Sequence, residues 1–184
     1  MDTIRCVVTG HDERGKAVIR SDERIDAAEP EVLPGFKFHQ LWGSDTSPRF
    51  PDGGSPPSFQ TYFPAEGGLR FGTFTIPPKG THNDRRRIQR PSPHELARAV
   101  DRDIPGLMTY HEPDGSGMHK TPTIDFEVVL AGSVVLEVDD GARVELRQGD
   151  TVVQNGTRHR WLNVGDVPAI IAVVIYGVHH DQVP

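Results

Sequence analysis

Between Thr121 and Gly177 the chain breaks into short runs of β-forming residues, and that division constrains the fold more than any other feature. The runs are 124–130, 133–138, 143–146, 150–154, 160–163 and 169–176. Ala131-Gly132, Asp139-Asp140-Gly141, Gln148-Gly149, Asn155-Gly156 and Val164-Gly165-Asp166 separate them. No run carries a helical period. Turn signals recurring every ~8–12 residues predict a barrel or sandwich, an all-β class.

The upstream half reads differently. Residues 4–9 and 17–20 are two short β segments around the turn His11-Asp12-Glu13-Arg14-Gly15, then a polar connection. A lone hairpin is marginal, so this arm should pair with the body or with a second subunit. Residues 36–42 and 69–76 alternate as strands, and 45–59 is a Ser/Pro/Gly-rich loop. One helix is signalled. Ser92 stands at its N-cap, Pro93 at its first position and Glu95 three residues after the cap, with Leu96, Ala97 and Val100 as a narrow apolar stripe to about Asp103. This segment either covers a pocket mouth or lies as a solvated surface helix. The organisation expected is a β arm over 1–35, a barrel over 36–177 with a loop-and-helix insertion at 77–116, and a tail over 178–184.

Charge and cysteine usage exclude several partners. A net charge of −6 gives no general phosphate-binding surface, and the only basic cluster is Arg85-Arg86-Arg87 with Arg90. No nucleic-acid partner is expected. No apolar run approaches the ~18 residues that a membrane span needs. The N-terminus lacks an apolar leader, so the expected location is cytoplasmic. Cys6 is the one cysteine, which excludes an internal disulfide and any multi-cysteine metal site; in the run Cys6-Val7-Val8 it reads as a buried strand position.

Two stretches carry chemistry. The first is Gly117-Met118-His119-Lys120-Thr121, followed by Asp125 and Gly132. The second runs Gly149-Asp150 to Asn155-Gly156, His159 and Asn163. Together they resemble the two conserved motifs of the cupin superfamily, over residues 117–163. The resemblance implies a single-domain cupin, a jelly-roll or double-stranded β-helix barrel with an N-terminal hairpin arm and one short helix. It also implies a homodimer. His119 matches the first histidine of the family's metal set, Asp125 stands at the carboxylate place and His159 matches the last histidine. Thr121 occupies the second histidine's place, so the first motif is degraded, and Gln154 replaces the proline usual before the second motif's glycine.

Strand geometry supports a reduced site. If the run is extended, His119, Thr121, Thr123, Asp125 and Glu127 share one face. Inward polar groups in a barrel are expensive unless they bind something or one another. His119, Asp125 and His159 would hold one divalent transition metal, with Fe, Zn, Mn, Ni and Co all suited to the set. Glu127 is the fallback ligand or a general acid/base. His111, just ahead of the first motif, is a candidate to move a proton. Trp161 and Asn163 share His159's parity and join Thr121 and Thr123 as candidate pocket residues. His39, His82, His94 and His179-His180 lie outside both motifs.

Three functions stay open for a small-molecule substrate. The first is a metal-dependent enzyme polarising a carbonyl- or carboxylate-bearing metabolite for dehydration, isomerisation, decarboxylation or C–C lysis. Its iron variant is a dioxygenase that does not use 2-oxoglutarate. The others are a metal-free acid–base enzyme and a non-catalytic binding or sensor barrel.

Overall fold

The computed structural model describes residues 1–55, 59–81, 92–179 and 181. The arm is an antiparallel hairpin of β1 (Thr3–His11) and β2 (Ala17–Asp26). Its turn is built by Asp12, whose Oδ1 accepts from the backbone N–H groups of Arg14 and Lys16 at 2.9 and 2.8 Å. The strand β2 runs on to Asp26 instead of ending at Arg20. The polar residues read as a connection take part in the ladder, and the Asp22 carboxylate accepts from the Arg5 guanidinium at 2.7 and 2.6 Å. The arm joins neither of the larger sheets. It is tied to the body by the His11 N–H on the Asp52 carbonyl at 2.7 Å, by an ion pair of Asp2 with Lys37, and by the bridge from Ala28 to Phe38.

The body has two antiparallel sheets. The first holds β3 (Lys37–Ser44), β4 (Leu69–Ile76), β5 (Thr123–Ala131), β8 (Thr151–Gln154) and β10 (Ala169–Gly177) in the order β3-β4-β10-β5-β8. The second holds β6 (Ser133–Val138), β7 (Arg143–Arg147) and β9 (His159–Leu162) in the order β7-β6-β9. Every run read from the sequence between 124 and 176 becomes a strand, with ends shifted by a residue or two. The expected jelly-roll logic is visible where β5 and β6, consecutive in sequence, fall in different sheets. Gly132 makes that crossing possible. It has φ 72°, and a Cβ there would stand 2.6 Å from the Pro168 carbonyl oxygen.

Alternation in β10 shows why the sheets face each other. Ala169, Ile171, Val173 and Ile175 are buried, while Val174 and Tyr176 face out. Ile171 packs with Ile76, Val129, Val134, Leu136, Leu146 and Ala169 in one core cluster. Val173 and Ile175 pack in a second with Phe38, Phe63, Val100, Ile104 and Leu107. The helix α1 (Pro93–Asp103) belongs to that second cluster and is not a solvated surface helix. Its capping box is formed as read: Ser92 Oγ accepts from the Glu95 N–H, and the Glu95 carboxylate accepts from the Ser92 N–H. The stripe looks narrow in sequence because Ile104 and Leu107, just beyond the helix, complete its apolar face.

The arginine cluster at 85–90, His82 and His180 lie outside the described residues. Among those described, no helix is long and apolar enough to cross a membrane.

Truncation in β10 should separate the two faces. Ile171→Ala should cost about 2–5 kcal/mol in urea unfolding, and Val174→Ala should stay within about 0.5 kcal/mol. Equal losses would contradict the burial pattern.

Candidate functional site

The two sheets and α1 line an open cavity of about 820 Å³. The strand β5 contributes Asp125 and Glu127, β9 contributes His159 and Trp161, and the segment between α1 and β5 contributes His111 and His119. Most of the remaining wall is apolar, from Phe36, Phe38, Phe63, Phe74, Leu107, Val173 and Ile175 among others. The residues Pro93, His94, Leu96 and Ala97 make the start of α1 part of the cavity wall.

Backbone pairing aligns the histidines. The His119 and His159 backbones exchange two N–H···O bonds of 2.9 Å, and His119 bridges in turn to His111. Three imidazoles therefore stand side by side. The His111 and His119 rings stack at 4.5 Å with 19° between planes, and His119 meets His159 at 4.2 Å. Each Nδ1 is engaged close to its own backbone: His111 with the Leu107 carbonyl at 3.1 Å, His119 with the Gly117 carbonyl at 3.1 Å, and His159 with the Thr157 carbonyl at 2.9 Å. A carbonyl only accepts, so Nδ1 carries the proton in His111 and His119, and Nε2 keeps a lone pair. The Gln154 amide also reaches His159 Nδ1, at 2.7 Å, and it binds the Thr157 carbonyl, which holds the loop ahead of β9. That loop packs tightly. A Cβ on Gly156, which has φ 61°, would meet the Thr121 carbonyl oxygen at 2.8 Å.

Burial keeps the imidazoles neutral. Desolvation, followed by the proximity of His119, pushes His111 and His159 down to about 4, and desolvation lowers His119 as well. The carboxyls move the other way. Desolvation raises Asp125 to about 6, against the pull of its hydrogen bond with Thr123. Desolvation, then the charge of Asp125, raises Glu127 to about 8. Asp125 Oδ1 and Glu127 Oε2 are buried with no hydrogen-bond partner among the described residues, a condition shared there only by the Thr75 hydroxyl. A buried polar atom without a partner costs about 1–3 kcal/mol, so two on one wall of one cavity mark a place built for something else.

The expected site residues divide. His111, His119, Asp125, Glu127, His159 and Trp161 all line the cavity. Thr121, Thr123 and Asn163 do not. The chain becomes a regular strand only at Thr123, so the shared face expected from His119 onward does not hold over its whole length. Thr121 and Thr123, both 1% exposed, bond each other through their hydroxyls at 2.8 Å beneath the carboxyl pair. Asn163 donates to the Ile76 and Val167 carbonyls and accepts from the Gly165 N–H, so it fixes the turn after β9. Of the histidines outside the motifs, His39 is a core residue bonded to the Thr73 hydroxyl at 3.0 Å, His179 is exposed beside Glu66 and Asp181, and His94 lines the cavity. Tyr62 is the functional candidate that the sequence reading missed. It lines the cavity near both carboxyls, whose charges, after burial, hold its phenol above the usual range. It sits in an aperiodic loop, and no motif points to it.

The donor chemistry fits a divalent transition metal: neutral imidazoles with engaged Nδ1 atoms, and carboxyl oxygens without partners. Among the described residues, however, no three His, Cys, Asp or Glu side chains converge closely enough to hold an ion. The expected ligands His119, Asp125 and His159 thus share a cavity without sharing a point, and side-chain rotation would have to bring them together.

Comparison with known proteins agrees with the fold. A family model described as a cupin domain matches residues 106–176. The phomopsin biosynthesis cluster protein C' of Diaporthe leptostromiformis is 32% identical over 158 residues, 85% of this chain and 68% of that protein. The oryzines biosynthesis cluster protein J of Aspergillus oryzae is 43% identical over 65 residues, 33% of this chain and 36% of that protein. A cupin-domain-containing oxidoreductase of Neurospora crassa is 36% identical over 63 residues, 33% of this chain and 32% of its own length. Among solved structures, the Cnp3 cupin domain of Schizosaccharomyces pombe has a TM-score of 0.46 at 9% identity, covering 96% of this chain and 88% of that one. Two facing antiparallel sheets, a matching family model and a relative aligned over most of both chains make this chain a member of the cupin superfamily.

Proposed function

We propose that the cavity is the active site of a small-molecule enzyme that moves protons on an oxygen-bearing substrate. The observation that supports this most is the pair of buried carboxyls on one strand, each with an unpartnered oxygen, lining one cavity with three neutral imidazoles. Groups with displaced proton affinities in a cleft are the ordinary equipment of acid–base catalysis. Glu127 keeps its proton at neutral pH and serves as the acid toward a carbonyl oxygen. Asp125, with the lower affinity of the two, accepts a proton from the neighbouring carbon. His111, with a free Nε2, relays protons toward the opening. Isomerisation and dehydration are the reactions that need only these steps. The names of the relatives, as biosynthesis cluster proteins and cupin-domain-containing oxidoreductases, suit a small-molecule enzyme.

A second reading has the donor chemistry and those oxidoreductase names in its favour. Here His119, His159 and Asp125, with Glu127 as the alternative carboxylate, hold one divalent metal. Such an ion would supply Lewis acidity or, as iron, a redox centre. A homodimer and a cytoplasmic location complete the proposal.

Three measurements test these readings. In heavy water, the protein should catalyse deuterium uptake at the α-carbon of a neutral cyclic ketone, read by mass spectrometry. Glu127→Gln should slow that exchange by about 10²–10⁴-fold. Exchange no faster than buffer, or untouched in the variant, would contradict the acid–base reading. Stability should also follow Glu127. The native carboxyl keeps its proton from the ordinary value of 4.5 up to about 8, whereas the unfolded one has lost it. The native state therefore binds more protons in that window, and stability falls as pH rises through it. In the presence of a chelator, Glu127→Gln should flatten the Tm decline between pH 5 and 8 by several degrees; an unchanged slope would show Glu127 to be ionised throughout. For the metal reading, elemental analysis should find about one transition metal per chain, lost in His159→Ala. Metal content unchanged in that variant would contradict the ligand set.

A further inference from the structure

The cavity wall separates into a polar end and an apolar end, and it contains no lysine or arginine among the described residues. The arginines on the stretch that carries His159 are committed elsewhere. Arg158 makes a two-pronged ion pair with Glu112 at 2.6 and 2.7 Å and reaches Asp139 at 2.9 Å. Arg160 grips the buried Glu137 with both prongs, the closer contacts at 2.9 Å. Neither is free to receive an anion.

The polar end holds one more group. Tyr62 is fixed by its backbone N–H on the Pro105 carbonyl at 2.8 Å and by edge-on contacts of its ring with Phe38 at 5.8 Å and Phe63 at 5.0 Å. Its hydroxyl has no protein hydrogen-bond partner among the described residues, and the residue lines the cavity, where the charges of Asp125 and Glu127 act on it. A phenol held rigidly by three aromatic and backbone contacts, with its donor left open, is arranged to meet a ligand atom.

We propose that the cavity binds a neutral, largely apolar, ring-sized molecule by one oxygen, a hydroxyl or carbonyl placed between the Tyr62 hydroxyl and the carboxyls of Asp125 and Glu127. This narrows the substrate class of the enzyme proposed above and rests on that reading of the site. The volume of about 820 Å³ lies within the ~300–1,000 Å³ range of small-molecule pockets. An anionic head at the same place would meet two carboxyl groups and, among the described residues, no lysine or arginine in the wall, and would lose its hydration without replacement. The carboxylate-bearing substrates considered from sequence are therefore disfavoured against carbonyl- or hydroxyl-bearing ones. Tyr62 acts as the specificity residue, supplying the hydrogen bond that a purely apolar guest cannot use.

Equilibrium dialysis of the full-length protein at pH 7 against 2-naphthol, 2-naphthoate and 2-methylnaphthalene tests this. The three probes share a ring frame and differ at the polar end. The proposal expects 2-naphthol to bind at least ~10-fold more tightly than 2-naphthoate. It expects Tyr62→Phe to weaken 2-naphthol by about three- to tenfold, the value of one hydrogen bond, and to leave 2-methylnaphthalene unchanged. Tighter binding of the naphthoate, equal weakening of both neutral probes by the variant, or no binding of any probe would each overturn it. Binding and deuterium exchange are read separately. Naphthol binding without exchange contradicts the acid–base reading alone, and exchange with naphthoate preferred contradicts the substrate class alone.

Discussion

The carboxyl pair on β5 is the constraint on which the site is built. Asp125 and Glu127 are spaced two apart, so the pleat turns both to one face, and the pairing of β5 with β10 and β8 buries that face inside the barrel. Nothing in the described protein neutralises them. A barrel of this size can carry two such groups because the rest of its interior is well packed. The clusters around Ile171 and around Val173 flank the cavity and contribute the apolar burial that offsets the cost of the pair. The protonated acid is thus a product of the fold, since burial raises both carboxyls and the charge of Asp125 raises Glu127 further.

The histidines depend on the same architecture. Reciprocal backbone bonds between His119 and His159 join the segment before β5 to the start of β9, and thereby fasten the two sheets at the cavity's polar end. The carbonyls of Leu107 and Gly117 engage Nδ1 of His111 and His119, which leaves their Nε2 atoms for a guest, while Thr157 and Gln154 fix the His159 ring at its Nδ1. The outer ends of these strands are held by ion pairs instead. Glu137 between Arg143 and Arg160, and Glu112 with Arg158, absorb the positive charge that would otherwise reach the opening. Polar chemistry inside and charge pairing outside are consequences of strand parity. Arg158 and Arg160 alternate with His159 and Trp161 along one stretch of chain.

Much of this was legible in the sequence, because strand parity and turn chemistry are local properties. The six runs after Thr121 became strands, the Ser92 capping box formed, and His119, Asp125, Glu127 and His159 reached one cavity. Where the reading failed, the cause was tertiary. Leu96, Ala97 and Val100 looked too narrow to bury a helix, but Ile104 and Leu107 fold back to widen the face. Thr121, Thr123 and Asn163 have the right parity for the pocket, yet Thr121 and Thr123 bond each other, Thr123 bonds Asp125, and Asn163 bonds backbone. Tyr62 reaches the carboxyls from a loop remote in sequence, and no period or spacing could have placed it. His111 reads as a candidate to move a proton from its place ahead of the first motif; the stacking on His119 that joins it to the other imidazoles exists only in three dimensions.

The account stands on a carboxylic acid that survives at neutral pH. Infrared difference spectroscopy between the chelated wild type and Glu127→Gln reads that proton directly. A protonated carboxyl C=O band present at pH 7, absent in the variant, and fading as pH rises through about 8 is the result expected. A wild-type spectrum at pH 7 in which every carboxyl is ionised would contradict the central claim.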